Sequence, residues 1–186
     1  MEGPVLRITK RHILHALRSC SSARLQKTGI NSTLGIAPKT EDFERQVAIS
    51  DMFEIQSSRI AQERGNADQK AFAGTMIKDH QVTSADLMDH AGEWKTALPT
   101  KLHSLHQSKI DKLKSLHGTE FSSRYNLDQV SGHKDAVSLF ERYAKGGDDP
   151  NLKEWAEKTL PTLWHHLEMA QEMAAGKPVE STRCRS

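Results

Sequence analysis

The chain has 186 residues, enough for one domain with a sizeable core and too few for two full domains. Hydrophobic residues make up only 36% and the mean hydropathy is -0.64, with no run of about 18 apolar residues; this excludes a membrane-spanning helix in the sequence given and suits an elongated helical bundle. The net charge of +2 conceals an asymmetry, because residues 1–40 hold seven Lys/Arg against the single acid Glu2, which leaves the remainder at -4.

Residues 1–39 read as a basic, disordered leader. Its best apolar run, Ile13 to Leu17, is short and interrupted by His15, so it lacks the h-region of a secretory signal. A chain starting at Met1 is on this ground expected to stay in the cytoplasm. No specific nucleic-acid binding is expected of the leader. Cys20 and Cys184 lie in opposite tails without the paired spacing of a zinc site or a disulfide framework.

Helical punctuation begins at Thr40, a predicted N-cap followed by Glu41 and Asp42, which complement the helix dipole. The first helix is predicted over residues 40–64, with Gly65 at its C′ position. Asn66 and Gln69 then have the spacing of a capping box for a second helix. So short a turn makes these helices antiparallel neighbours. The second helix, residues 67–95, places Phe72, Ala73, Met76, Ile77, His80, Leu87, Ala91 and Trp94 on one side. Asp79 falls outside that face.

Leu98-Pro99 ends the second helix, and a shorter segment over residues 100–116, carrying Leu102, Leu105, Ile110, Leu113 and Leu116, crosses over the bundle. The third long helix runs from about residue 119 to Gly146-Gly147. Its charged arc, which includes Arg124, Asp128 and Lys134, opposes Val130, His133, Val137, Phe140 and Ala144. Asp149-Pro150 reads as N-cap and N1 of a last helix that stops at Gly176 and Pro178. Its stripe is Leu152, Ala156, Leu160, Leu163, Leu167 and Ala170, and Pro161 inside it is expected to kink or restart the helix. The domain is therefore predicted over residues 40–176, followed by a disordered tail at 177–186. The architecture is all-α: four long helices in an up-and-down pair of hairpins with one crossover between the second and third.

On these wheels His80, His133 and His166 lie on or beside the apolar side of three different helices, and Glu54 shares a stripe of the first helix with Val47, Ser58 and Ala61. Imidazoles and a carboxylate converging from facing helices are how bundle cores hold a transition metal such as zinc, iron or copper. The competing reading is a core hydrogen-bond network. His165 projects about 100° from His166 and is expected to face solvent. The pairs His103/His106 and His12/His15 are read as surface residues, and Met76, Met88, Trp94, Trp155 and Trp164 as core or groove fillers. There is no phosphate loop, nucleophile elbow or His-Glu-x-x-His, and no Glu precedes a histidine by three as in di-iron bundles. An enzyme is disfavoured. An interaction module presenting exposed helix faces is the other functional class, and a homodimer is the oligomer left open.

Several spaced matches resemble a bacterial family known as domain of unknown function 4142. They are Glu54-Ile55; Lys70-Ala-Phe-Ala73 with Met76-Ile77-x-Asp79-His80; Gly118-x-Glu-Phe121-x-x-x-Tyr125; His133-x-x-Ala-Val137-x-Leu-Phe140; and Thr159-Leu-Pro-x-Leu163-x-x-His166-Leu-x-x-Ala170. The resemblance implies a ferritin-like four-helix fold, a place for His80, His133 and His166 in the family pattern, and a periplasmic or envelope location. It brings no reaction with it.

Overall fold

A computed structural model describes residues 35–179. Most of the basic leader, His12, His15, both cysteines and the end of the tail lie outside the described residues. The helices are α1 (Thr40–Arg64), α2 (Ala67–Trp94), the short α3 (Ser104–Ser115), α4 (Gly118–Gly146) and α5 (Pro150–Ala174), with no strand among the described residues.

Local chemistry sets most of these ends. Asn66 accepts from the Gln69 amide at 2.9 Å while the Gln69 side chain accepts from the Asn66 amide at 3.1 Å, closing the predicted capping box. Gly65 serves close approach, since its φ is -71° and a Cβ there would stand 2.6 Å from the Ala61 carbonyl and 2.8 Å from Gln69 Cβ. At the start of α1 the prediction needs correction. Thr40 is the first helical residue, and the capping carboxylate comes from Asp148, which accepts from the Thr40 amide at 3.0 Å and its hydroxyl at 2.6 Å. These bonds and Lys39 at 3.1 Å hold the Asp148 carboxyl down at about 2. α2 stops at Lys95, which takes a left-handed φ of 55°, several residues before Pro99.

Contacts between helix ends give the topology. Gln69, near the start of α2, donates to the Ser122 carbonyl and to Asn126 near the start of α4, so these two helices run parallel. Thr40 bonds to Tyr143 and Arg64 to the Leu116 carbonyl, which sets α1 antiparallel to α4. Asn126 also donates to the Met173 carbonyl, setting α5 antiparallel to α4. Residues 95–117 therefore return along the length of the bundle, and α3 packs on α1 and α4.

The core divides into two apolar clusters. One holds Phe53, Phe72, Met76, Ile110, Phe121, Tyr125 and Met169; the other holds Phe43, Val47, Leu87, Val137, Phe140, Leu152 and Leu163. Between their positions along α1, α2, α4 and α5 lies a layer of buried polar residues: Asp51, Glu54, His80, His133 and His166.

Several solvent assignments fail where α3 or a neighbouring helix covers the surface. Asp128 is buried, held by Arg124 at 2.7 Å and Lys109 of α3 at 3.7 Å. His106 is half-buried, edge-on to Phe53 of α1, while His165 stays partly exposed as expected of its side of α5. Conversely Leu105, Met88 and Trp164 are exposed and fill no core. Pro161 does not restart α5, which continues through it. Both Pro161 and Glu157 are exposed, so the carbonyl that loses its bond to proline can be hydrated.

Asp149 accepts from the Leu152 amide at 2.6 Å and is buried, so Asp149→Ala should cost about 1–2 kcal/mol of stability. Urea unfolding would show a lower midpoint at unchanged slope; an unchanged midpoint would remove this cap from the account.

Candidate metal centre

The four long helices each contribute to the polar layer. His80 comes from α2, His133 from α4 and His166 from α5, and all are at most 4% exposed. Their ring centroids form a nearly equilateral triangle with sides of 5.9, 5.6 and 5.5 Å. One nitrogen from each ring lies within 4.8 Å of the other two.

Hydrogen bonding decides which nitrogen of each ring can offer a lone pair. Asp51 Oδ1 accepts from His80 Nδ1 at 2.8 Å, Asp79 Oδ2 from His166 Nε2 at 3.0 Å, and the Gln129 carbonyl from His133 Nδ1 at 2.9 Å. A carboxylate or carbonyl can only accept, so each of these ring nitrogens carries a proton. In the neutral ring the opposite nitrogen then carries a lone pair. Those nitrogens are His80 Nε2, His133 Nε2 and His166 Nδ1, all buried and without a hydrogen-bond partner. Carboxylate or carbonyl behind, lone pair in front, is how proteins present histidine to a metal.

The electrostatics differ from ring to ring. Burial and the two neighbouring imidazoles push the His133 pKa well down, and burial lowers that of His166 against the opposing bond to Asp79. At His80 burial also acts downward, but Asp51, with Glu54 and Asp79, outweighs it and raises the pKa. Two rings are thus neutral at neutral pH, and His80 is the one that most readily takes a proton.

Glu54 points inward and is buried, as predicted, but its carboxylate is not among the three atoms that meet. Burial lifts its pKa from 4.5 to about 7, opposed by His80 and by a hydrogen bond from Gln129. Oε2 has no partner. Gly132, beside His133, makes room for the group, since a Cβ there would come within 3.0 Å of Glu54 Oε1.

Sequence reading missed Asp51 and Asp79. Asp51 carried a signal, for it lies four residues after Val47 and three before Glu54 on the same stripe. Its second oxygen accepts from Ser84 at 3.1 Å. Asp79 carried none by its wheel position, because its role depends on α5 lying beside α2. His103 is exposed, and neither it nor His106 joins the triad.

For trigonal or tetrahedral coordination at about 2.0–2.1 Å per bond, the nitrogens need separations of about 3.4 Å. From separations of up to 4.8 Å the nitrogens must therefore draw together by up to about 1.4 Å, within the reach of side-chain rotations. Their chemistry, three imidazoles with anchored backs of which two are already neutral, fits a borderline transition-metal ion.

The model of the family described as domain of unknown function (DUF4142) matches residues 25–173, and the chain belongs to that family. No curated protein matches it. Among solved structures, "CopM in the Cu(II)-bound form" is similar with a TM-score of 0.64 and 13% identity, covering 76% of this chain and 99% of that one. At this identity the likeness is one of fold. Among the described residues, no helix is long and apolar enough to cross a membrane.

Glu54 gives a pH signature. The folded protein retains a proton that the unfolded chain loses above 4.5, so stability falls as pH rises from 4.5 to 7, by roughly 3 kcal/mol for this group. The lowered pKa values of His133 and His166 push stability the other way over the same window, so the Glu54 contribution is read as the difference in slope between wild type and Glu54→Gln in urea unfolding of the metal-free protein, with wild type falling relative to the variant as pH rises. The same slope in both proteins would assign the effect elsewhere.

Proposed function

We propose that this DUF4142 protein binds a single transition-metal ion between α2, α4 and α5 through His80 Nε2, His133 Nε2 and His166 Nδ1, with Glu54 as the adjoining carboxylate, and that it acts by binding rather than catalysis. The observation that supports this most directly is the three inward, buried nitrogens without hydrogen-bond partners. Leaving a buried polar atom unpaired costs about 1–3 kcal/mol, and one cation offsets all three at once. Zinc, iron and copper suit imidazole ligands. The Cu(II) named for the structural neighbour makes copper the first ion to test. A periplasmic or envelope location and a stress-related role rest on family resemblance alone.

A core hydrogen-bond network is the competing reading. Its support is the raised pKa of His80, which favours an imidazolium able to share its Nε2 proton with a neighbouring lone pair. A single proton cannot, however, satisfy both His133 Nε2 and His166 Nδ1. The metal reading accounts for all three.

Protein purified without a histidine tag and reconstituted with copper or zinc should retain a single ion per chain after dialysis, and a His80→Ala/His133→Ala/His166→Ala variant should retain none. Elemental analysis reads this, with circular dichroism to check that the variant is helical. Equal metal in both proteins would sink the site. Loss of stability without any metal dependence would favour the network.

A further inference from the structure

The proposal in this section rests on the metal reading above and concerns what Asp51 and Asp79 do for it. Both carboxylates stand directly behind a candidate ligand: Asp51 behind His80 at 2.8 Å, itself 2% exposed, and Asp79 behind His166 at 3.0 Å, with a third of its side chain exposed. His133 is backed by an uncharged carbonyl. Once a metal occupies the site all three rings are neutral donors, so these two carboxylates are then the formal charges bonded to the ligand set. Lys78 and Lys109 are the cations felt nearby, at Asp79 and Glu54 respectively, and the three rings bond to Asp51, the Gln129 carbonyl and Asp79 rather than to Glu54.

We propose that Asp51 and Asp79 are positioning residues that fix a mixed set of histidine tautomers and set the charge class of the site, so that it takes a divalent cation in preference to a monovalent one. The tautomer part follows from the hydrogen bonds. With Nδ1 of His80 and Nε2 of His166 committed as donors, α2 presents Nε2 and α5 presents Nδ1. The charge part follows from Coulomb's law in a desolvated layer. A divalent ion gains twice the interaction of a monovalent one from each carboxylate, most from the buried Asp51 and less from Asp79, whose exposed third is screened by solvent.

The substitutions Asp51→Asn and Asp79→Asn separate charge from position, because an amide oxygen can still accept the ring proton while the negative charge is gone. The probes are Zn2+ and Ag+, each titrated alone into the full chain by calorimetry or competition with a chelator. Each substitution should weaken Zn2+ binding by about 10–100-fold, within the range for groups that orient metal ligands. On charge alone the factor for Ag+ should be close to the square root of the factor for Zn2+, or about 3–10-fold. In the wild-type protein with Zn2+ bound, nitrogen NMR should show His80 and His133 protonated at Nδ1 and His166 at Nε2.

Equal losses for the two ions would overturn the charge assignment and leave the aspartates as geometric supports. So would unchanged Zn2+ binding in both variants. A wild-type protein that binds neither ion would instead overturn the metal reading itself, and this proposal with it. Because each variant is compared with itself across two ions, partial destabilisation of the fold cancels from the ratio.

Discussion

The structure depends on holding three histidine rings by one edge each and leaving the other edges facing one another in a buried layer. At about 1–3 kcal/mol for each unpaired polar atom, such a layer costs the metal-free protein an amount comparable with the whole stability of a domain. The two apolar clusters on either side offset that cost. Phe72, Phe121 and Tyr125 pack towards one end, while Phe43, Phe140 and Tyr143 pack towards the other, with Phe43 stacked on Tyr143 at 4.0 Å between centroids. Tight packing at both ends lets the middle be polar without the helices parting.

Topology explains why the layer can be assembled from so few residues. The return of the chain over residues 95–117 makes α2 and α4 parallel and puts α2 beside both α1 and α5. Asp51 of α1 can then clasp His80 of α2, and Asp79 of α2 can clasp His166 of α5. Those two bonds link three helices in a row through the layer. α4 orients its own histidine with a carbonyl from one turn earlier, so His133 keeps its direction without a partner helix. The crossover also lays α3 over α1 and α4, where Lys109 sits over the Phe53 ring at 5.6 Å and pairs with Asp128.

Helical period and punctuation made the fold legible. Asn66 with Gln69, Asp149 with Pro150 and the apolar stripe of α2 each specify a local structure that does not depend on the remainder of the chain. The histidines were legible for the same reason, since a residue on the apolar face of an amphipathic helix must face a neighbour. What escaped depends on which neighbour. Asp79 lies at the edge of its wheel and is recruited by α5; Asp128 sits on the charged arc of α4 and is buried by α3; the cap of α1 comes from Asp148 at the far end of α4. Asp51 is different, for it lies on the same stripe of α1 as Val47 and Glu54 and its inward direction is set by the helix alone. Met88 and Trp164 are the reverse case, in which residue type suggested a core that the helix positions do not reach.

Glu54 completes the physical picture because its environment is neither that of a ligand already in place nor that of a satisfied core residue. Gln129 stands close enough to oppose the rise in the Glu54 pKa, and its amide donates to Ser57 of α1 at 3.1 Å. Gly132 removes the side chain that would press on Oε1, and Oε2 is left without a partner inside the bundle. Burial brings its pKa to about 7, so near neutral pH its proton is held by a small free-energy difference. Asp51 pushes in the same direction as burial, whereas His80 pushes against it. A carboxyl poised in this way can change charge with little cost when the charge of the neighbouring imidazoles changes. The rigid part of the layer is thus the set of backed histidines, and Glu54 is the part whose charge can follow theirs.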